Sequence, residues 1–371
     1  MFRSRAGSAS ISVPRRSHRD ELPHRPSRPG CPLGGRFIRD VLLAVGAPPN
    51  VAEVEAEIAA EVDLCGVHSH GAQLLPALVR NIRRGITSPD PRIEVLVEYP
   101  ASVLAQTERG IGRYVSATGM DMAVERAQSH GVGAVAIRGV AHWGRGHSYA
   151  LRAARAGLVG LAFTNAYANF PAWGTRVPSL GNNPLAIGVP SPEGEPVVLD
   201  MAMSQTAIGR VRAAAAAGER VPLGWGLDQD GRPTDDPRAI LASGRVLPMG
   251  EHKGSGLAFM IDLLTAGLAG GLLCYEQGTE GRPSDSEGGS TKLFIALRPF
   301  GDWLGERVTA LKAHLKAAPP APEQGEAQWP GEGSFRRRAE YLEHGIALPP
   351  QLAAELEALA REMSLTIAFA G

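Results

Sequence analysis

VGAVAIRGVAHWGRGHSYALRAARA, residues 132–156, decides the fold. Residues 132–138 alternate small and branched apolar side chains, the pattern of a buried strand. From Tyr149 to Ala156 the residues favour a helix, which Gly157 stops. A strand, turn and helix in this order belong to an α/β sheet, whose ligands lie just beyond the carboxyl ends of strands. The turn, GVAHWGRGHSY (Gly139–Tyr149), carries two histidines, an arginine and a tryptophan. His142 and His147 are therefore candidates for acid–base chemistry on a carbonyl or alcohol, because imidazole exchanges its proton near neutral pH. That one of them only hydrogen-bonds the turn is equally open on these residues alone.

Outward from this unit the alternation continues. IEVLVEY, SVLAQT, LVGLAFTN, residues 184–189, residues 196–200 and KLFIALR (292–298) read as strands, with helices between them, the first over Ala117–Ser129. Before residue 93 the chain reads as helical: Arg36–Val45, then Asn50–Leu64 with Asn50 as N-cap and Glu53 completing a capping box, then Ala77–Arg84. Glu53, Glu55, Glu57 and Glu61 read as a solvated face of the second helix. The Gly- and Pro-rich stretch 218–245 reads as a polar excursion. Leu257–Leu273 is apolar but broken by Asp262 and glycines, too short to span a bilayer, and reads as a buried helix. A helix, a Pro-rich loop ending in WPGEG and two amphipathic helices close the chain.

Lys+Arg and Asp+Glu both total 38 in 371 residues, so no basic field invites nucleic acid or an anionic membrane. Hydrophobic content of 44% suits an ordinary buried core. Cys31, Cys65 and Cys274 form no C-x-x-C pair, which suits the reducing cytoplasm and offers no zinc knuckle. Residues 1–35 are rich in Arg, Ser and Pro, lack periodicity, and read as a disordered basic tail, either a solvated extension or an upstream start. No secretory h-region is present in them.

A dinucleotide fingerprint is nearly absent. Gly131, Gly133 and Ala136 fit G-x-G-x-x-A but precede the strand and have no helix behind them. There is no P-loop lysine and no G-x-S-x-G elbow. His68, Ser69 and His70 form H-S-H-G, open to three readings: metal ligands with Asp63, a histidine acid oriented by Ser69, or a capping turn. Lys253, in E-H-K-G-S-G at a helix start, suits a phosphate or carboxylate, or simply snorkels to solvent. Asp200, at a strand end, would accept from ribose hydroxyls or cap the next helix.

Taken together, GVHSHG, AHWGRGHSY, GNNPLA, LDMAMS, LPMGEHKGSG and WPGEG occur in that order between Gly35 and the C-terminus. This series resembles the second, non-Rossmann class of malate and L-lactate dehydrogenases, and its H-W-x-R-G-x-S-Y and L-P-M-G-x-x-K-G-S-G patterns look most like the 2,3-diketo-L-gulonate reductase branch. The resemblance implies an α/β fold with a mixed-sheet, non-Rossmann NAD(P)-binding domain and a helical lobe formed by both chain ends. It places the lobe at 36–98 and 305–371, and the cofactor domain at 99–304. It implies a homodimer, NAD or NADP as cofactor, a small-molecule 2-oxo or 2-hydroxy acid as substrate, and no metal. A cyclic imine acid of the piperideine-2-carboxylate type is the alternative substrate. A family member that binds without turnover and a zinc hydrolase on His68 and His70 are rivals.

Carried over motif by motif, His70 matches the proton donor of the diketogulonate reductases and His142 the proton acceptor of ureidoglycolate dehydrogenase, with Ser69 beside the former. His147 is then left as turn support. Pro196, Val197, Val198, Leu199, Asp200, Met201 and Ala202 match one dinucleotide-contacting segment. His252 and Lys253 match a second, and Gly331, Glu332 and Gly333 a third. One departure stands out. Where the family commonly has an arginine three residues after the S-H-G glycine, this chain has Leu74, which cannot clamp a carboxylate. Either another cation takes that part, with Arg145 the nearby candidate, or the substrate differs. Asn182, in GNNP where GTNP is commoner, is a milder change.

Overall fold

The computed structural model describes residues 33–322 and 325–367. The expected tail lies outside the described residues over 1–32, and the first helix begins at Leu33, inside the boundary expected at residue 35. Helices α1 (Leu33–Ala44), α2 (Pro49–Leu64) and α3 (Leu75–Arg83) precede every strand. There follow β1 (Glu94–Glu98), β2 (Ser102–Gly110), α4 (Gly112–His130), β3 (Val132–Val140), α5 (His147–Arg155) and β4 (Val159–Thr164). A short ribbon, β5 (Phe170–Pro171) and β6 (Pro178–Leu180), leads to β7 (Leu185–Val189) and β8 (Val197–Met201). Next are α6 (Ile208–Ala217), the hairpin β9 (Gly226–Leu227) and β10 (Pro233–Thr234), α7 (Pro237–Ser243) and α8 (His252–Asp262). The chain returns to the sheet with β11 (Ser290–Leu297) and ends in α9 (Trp303–Ala317), α10 (Glu332–His344) and α11 (Pro350–Glu362).

The main sheet runs β1-β2-β3-β11-β4-β7-β8. Only β2 and β3 among these neighbours are parallel, so the expected mixed sheet is observed and the dinucleotide fingerprint fails for a topological reason. β11 arrives late in sequence yet sits between β3 and β4, with Leu293 opposite Ala136 on one side and Phe163 on the other. Its antiparallel direction brings Ser290 opposite Val140, beside the point where the chain leaves β3 for the His142 turn.

Two packing centres hold these elements. Phe294 of β11 and Ile137 of β3 pack with Met120 of α4, Trp143 and Tyr149, all buried. Fully burying an aromatic of this size contributes about 1.5–3 kcal/mol. Elsewhere Val41 and Leu42 of α1, Ala52 of α2, Val79 of α3 and Leu356 of α11 share a second core, so segments near both ends of the described chain meet.

Several expectations are corrected. Asn50 caps nothing: α2 starts with Pro49 at its first position, and Asn50 Nδ2 donates instead to the Tyr114 hydroxyl at 3.2 Å. Glu55 is 1% exposed rather than solvated, because Arg113 of α4 reaches it in an ion pair. The 218–245 excursion folds, packing Val221 and Ile240, together with the adjoining Val246, on Val211 of α6. The Leu257–Leu273 segment is buried on one side only. Ala258, Ile261 and Ala266 face the core while Leu257, Phe259, Met260, Leu263, Leu264 and Leu268 are exposed, α8 passing at Leu263–Gly267 into a π-helical turn.

Candidate active site

The turn after β3 is held from within. Gly144 has φ 76°, a left-handed conformation that glycine adopts without penalty, and a Cβ there would lie 3.0 Å from Arg113 Nε. Its N–H donates to His142 Nδ1 at 3.2 Å, so the proton of neutral His142 sits on Nε2. Trp143 is buried and stacks on Tyr149 with ring centres 5.2 Å apart, and the Tyr149 hydroxyl donates to the Trp143 carbonyl.

His70 reaches the same place from the helical side. It ends the short turn His68–His70 after α2, where the Asp63 carboxylate accepts from His68 Nδ1 at 3.1 Å and from the Ala72 N–H at 2.8 Å. Arg113 Nη2 donates to the His70 carbonyl at 2.9 Å while its Nη1 pairs with Glu55 at 3.2 Å. Glu55 also accepts from the Tyr114 N–H at 2.7 Å. A buried ion pair therefore fixes the backbone of His70, and Ser69 Oγ bonds His70 Nδ1 at 2.9 Å, leaving Nε2 for other partners. The rings of His70 and His142 stand 5.7 Å apart.

The two imidazoles have different surroundings. Burial lowers His70 below its ordinary 6.5, and Arg113 and Arg145 push the same way while Asp200 opposes them. His142 is held well below 6.5 by burial, then by His70, Lys292 and Arg113, with no acid on its side among these. His147 is also well below 6.5, through burial and the nearby Arg145 and Arg155.

Beside them runs β8. Val198 N–H donates to the Pro330 carbonyl at 2.9 Å, which sets Gly331–Gly333 and the start of α10 against this strand. Gly331 has φ 95°, and a Cβ would stand 3.0 Å from the Val198 carbonyl oxygen. Met249 N–H donates to the Met203 carbonyl at 2.9 Å, so the start of α8, with His252 and Lys253, follows closely on Pro196–Ala202. The three segments expected to meet a dinucleotide are thus brought together around one strand. Arg145 does not stand free beside His70. Its Nε donates to Asp200 Oδ2 at 2.6 Å and its Nη2 to Ser334 Oγ at 3.4 Å. Asp200 accordingly is not a helix cap, since α6 starts only at Ile208.

The buried polar atoms here that lack partners among the described residues include Arg145 Nη1, His147 Nε2, Arg113 Nε and Ser148 Oγ. His147 is 1% exposed, its ring 5.6 Å from that of Phe335 on α10, so it is a core residue rather than a support of the turn. The amino end of α10 and Gly331, at closest approach to β8, suit a polyanionic dinucleotide, so the residues fit NAD(P). Among the described residues no three His, Cys, Asp or Glu side chains gather as a metal site would require.

Sequence reading missed Lys292, Arg113 and Glu55. Lys292 is 2% exposed at the head of β11, donating to Thr164 Oγ1 at 2.8 Å and Ser290 Oγ at 2.5 Å. Its signal was parity: in KLFIA the lysine shares the inward face of Phe294 and Ala296.

A model of the family described as malate/L-lactate dehydrogenase matches residues 35–357. The 2,3-diketo-L-gulonate reductase of Citrobacter koseri is 32% identical over 324 residues, 86% of this chain and 96% of that protein. The Delta(1)-pyrroline-2-carboxylate/Delta(1)-piperideine-2-carboxylate reductase of Pseudomonas syringae pv. tomato is 33% identical over 317 residues, 84% of this chain and 90% of that protein. Among solved structures, sulfolactate dehydrogenase from Methanocaldococcus jannaschii is similar with a TM-score of 0.84 at 30% identity, covering 91% of this chain and 98% of that one.

Proposed function

The chain belongs to the malate/L-lactate dehydrogenase family and is an NAD(P)-dependent oxidoreductase, and we propose that its substrate is a 2-oxo or 2-hydroxy acid whose oxygen exchanges a proton with His70. The observation that carries this reading is the His70–His142 pair, 5.7 Å between rings, with each imidazole fixed through Nδ1. When bound, the nicotinamide supplies or accepts the hydride. His70 Nε2 gives its proton to the carbonyl oxygen in reduction and takes it back in oxidation, while Ser69 keeps the ring oriented. His142 donates from Nε2 to the same oxygen, and Arg145 Nη1 is the cation for the carboxylate.

For the cofactor, Pro196–Ala202, His252, Lys253 and Gly331, Glu332 and Gly333 form the cradle, with Asp200 shared between Arg145 and the ribose. The substrate resembles 2,3-diketogulonate or another sugar-derived keto acid, in keeping with the relative from Citrobacter koseri. A cyclic imine acid is the second reading, favoured by the similarity to the piperideine-2-carboxylate reductase. NADH and NADPH oxidation across a panel of 2-oxo acids, diketogulonate and piperideine-2-carboxylate decides between them. Consumption with none of these overturns the reading.

The helical cluster built by both chain ends and the sheet domain act as two lobes, with β1 counted in the sheet because it pairs with β2. The enzyme is a homodimer. The outward row Phe259, Met260, Leu263, Leu264 and Leu268 beside a groove of about 630 Å³ supports this, since a patch of that character marks an interface. Light scattering on the purified chain tests it. The cytoplasm fits the free thiols of Cys65 and Cys274.

A further inference from the structure

An ammonium inside a core needs compensation, because desolvating it costs several kcal/mol that an isosteric methionine would avoid. Lys292 is such a group. β11 turns it to the inward face, Thr164 and Ser290 accept its hydrogen bonds, and its Nζ lies 5.4 Å from the centre of the Trp143 ring, on whose face a cation is attracted. Trp143 directly follows His142. The lysine is thus placed under the active-site turn by a strand that shares no sequence neighbourhood with it.

We propose that Lys292 is a positioning residue: from beneath Trp143 it supplies a fixed positive charge that confines His142 to hydrogen-bond donation and leaves proton exchange to His70. The inference rests on the roles given above to the two histidines. Three groups face His142 from three elements: His70 on the turn after α2, Arg113 on α4 and Lys292 on β11. Each is basic, so a second proton on His142 meets like charge from all three in a low-dielectric surrounding. Hydrogen bonding points the same way. The Gly144 N–H already donates to His142 Nδ1, and a proton there would set donor against donor. His70 differs in having Asp200 to offset Arg113 and Arg145. Environments that separate two titratable neighbours assign them different tasks.

The test is Lys292→Met in the full-length chain, with imidazole nitrogen NMR following His142 from pH 4 to 8 without substrate or cofactor. The expected result is a rise of about one pH unit in the His142 midpoint, a tenfold gain in its protonated fraction. Lys292→Arg, which keeps the charge, restores the original midpoint. An unchanged His142 midpoint in a folded Lys292→Met protein would falsify the proposal and make the lysine a packing residue. If the methionine variant does not fold, Lys292→Gln carries the same readout. Because the titration needs no turnover, a substrate panel without activity defeats the functional reading and leaves this result standing.

Discussion

Arg145 Nε and Asp200 Oδ2 lie 2.6 Å apart, tying the turn after β3 to the end of β8. In the proposed site this pair joins the substrate side to the cofactor side, and Asp200 also raises the affinity of His70 for its proton. Asp200→Asn should therefore have two effects. The KM for the 2-oxo acid rises roughly tenfold as Arg145, the proposed carboxylate partner, loses its anchor, in line with a charge-assisted hydrogen bond of about 1.5–3 kcal/mol. The His70-controlled limb of the pH profile moves to lower pH. A variant with unchanged KM and profile contradicts the coupling.

His70→Ala should lower the rate of reduction by about 10²–10⁴, the usual worth of a positioned acid, while fluorescence still reports cofactor binding. The sign of the pH dependence follows from burial. His70 titrates below 6.5, so above that midpoint kcat/KM for reduction falls with rising pH, whereas oxidation, which needs the neutral ring, gains. The alanine variant loses both limbs. Steady-state profiles in the two directions check this.

Acid lability has a separate source. His142 and His147 are held well below 6.5 in the folded chain, so as pH falls under 6.5 the unfolded chain binds protons that the folded one refuses. Stability is thus present above about pH 6.5 and declines below it, by at most about 1.4 kcal/mol per pH unit for each histidine. His147→Phe, which packs beside Phe335 and cannot titrate, should flatten the decline by about half. Thermal midpoints from pH 5 to 8 decide the matter; equal slopes in both proteins would count against it.

The pair Glu55–Arg113 predicts a joint loss of stability and activity. Glu55→Gln leaves a guanidinium that is 6% exposed without its counter-charge, and breaking a buried pair from one side costs about 3–5 kcal/mol. Because Arg113 also holds the His70 carbonyl, kcat should drop at temperatures where the variant is still folded. Denaturant melts beside kcat at 15 °C separate the two effects. Lost stability with intact kcat would show that the clamp does not reach His70.

How much of this was legible in the sequence depends on distance along the chain. The strand, turn and helix around His142 were readable because their hydrogen bonds and alternation are local. The fold's mixed sheet came through motifs, since no periodicity announces that β11 will insert between β3 and β4. Glu55 looked like one of a row of solvated acids, and only a partner 58 residues away makes it buried. Arg145 was read as a cation near the histidines, but its pairing with Asp200, 55 residues on, was not. Lys292 went unremarked at the start of the strand read over 292–298, because parity shows which side a residue takes, not what covers that side. The same limit applies to α8, whose apolar outer face was taken for core.

Leu74 ends the short turn Ala72–Leu74, four residues past His70 and directly ahead of α3. Its side chain is half-buried and carries no charge, and the proposed function gives carboxylate recognition to Arg145. If so, Leu74→Arg supplies a second guanidinium to the same anion. It should lower the KM for a 2-oxo acid about tenfold, with kcat nearly unchanged, as expected for binding shared by ground and transition states. The combination with Arg145→Gln is more telling. Arg145→Gln alone should raise the substrate KM by about tenfold or more, and adding Leu74→Arg should recover most of it. Strict additivity of the two changes would mean that they address different groups, and the carboxylate would then have to be sought elsewhere in the site.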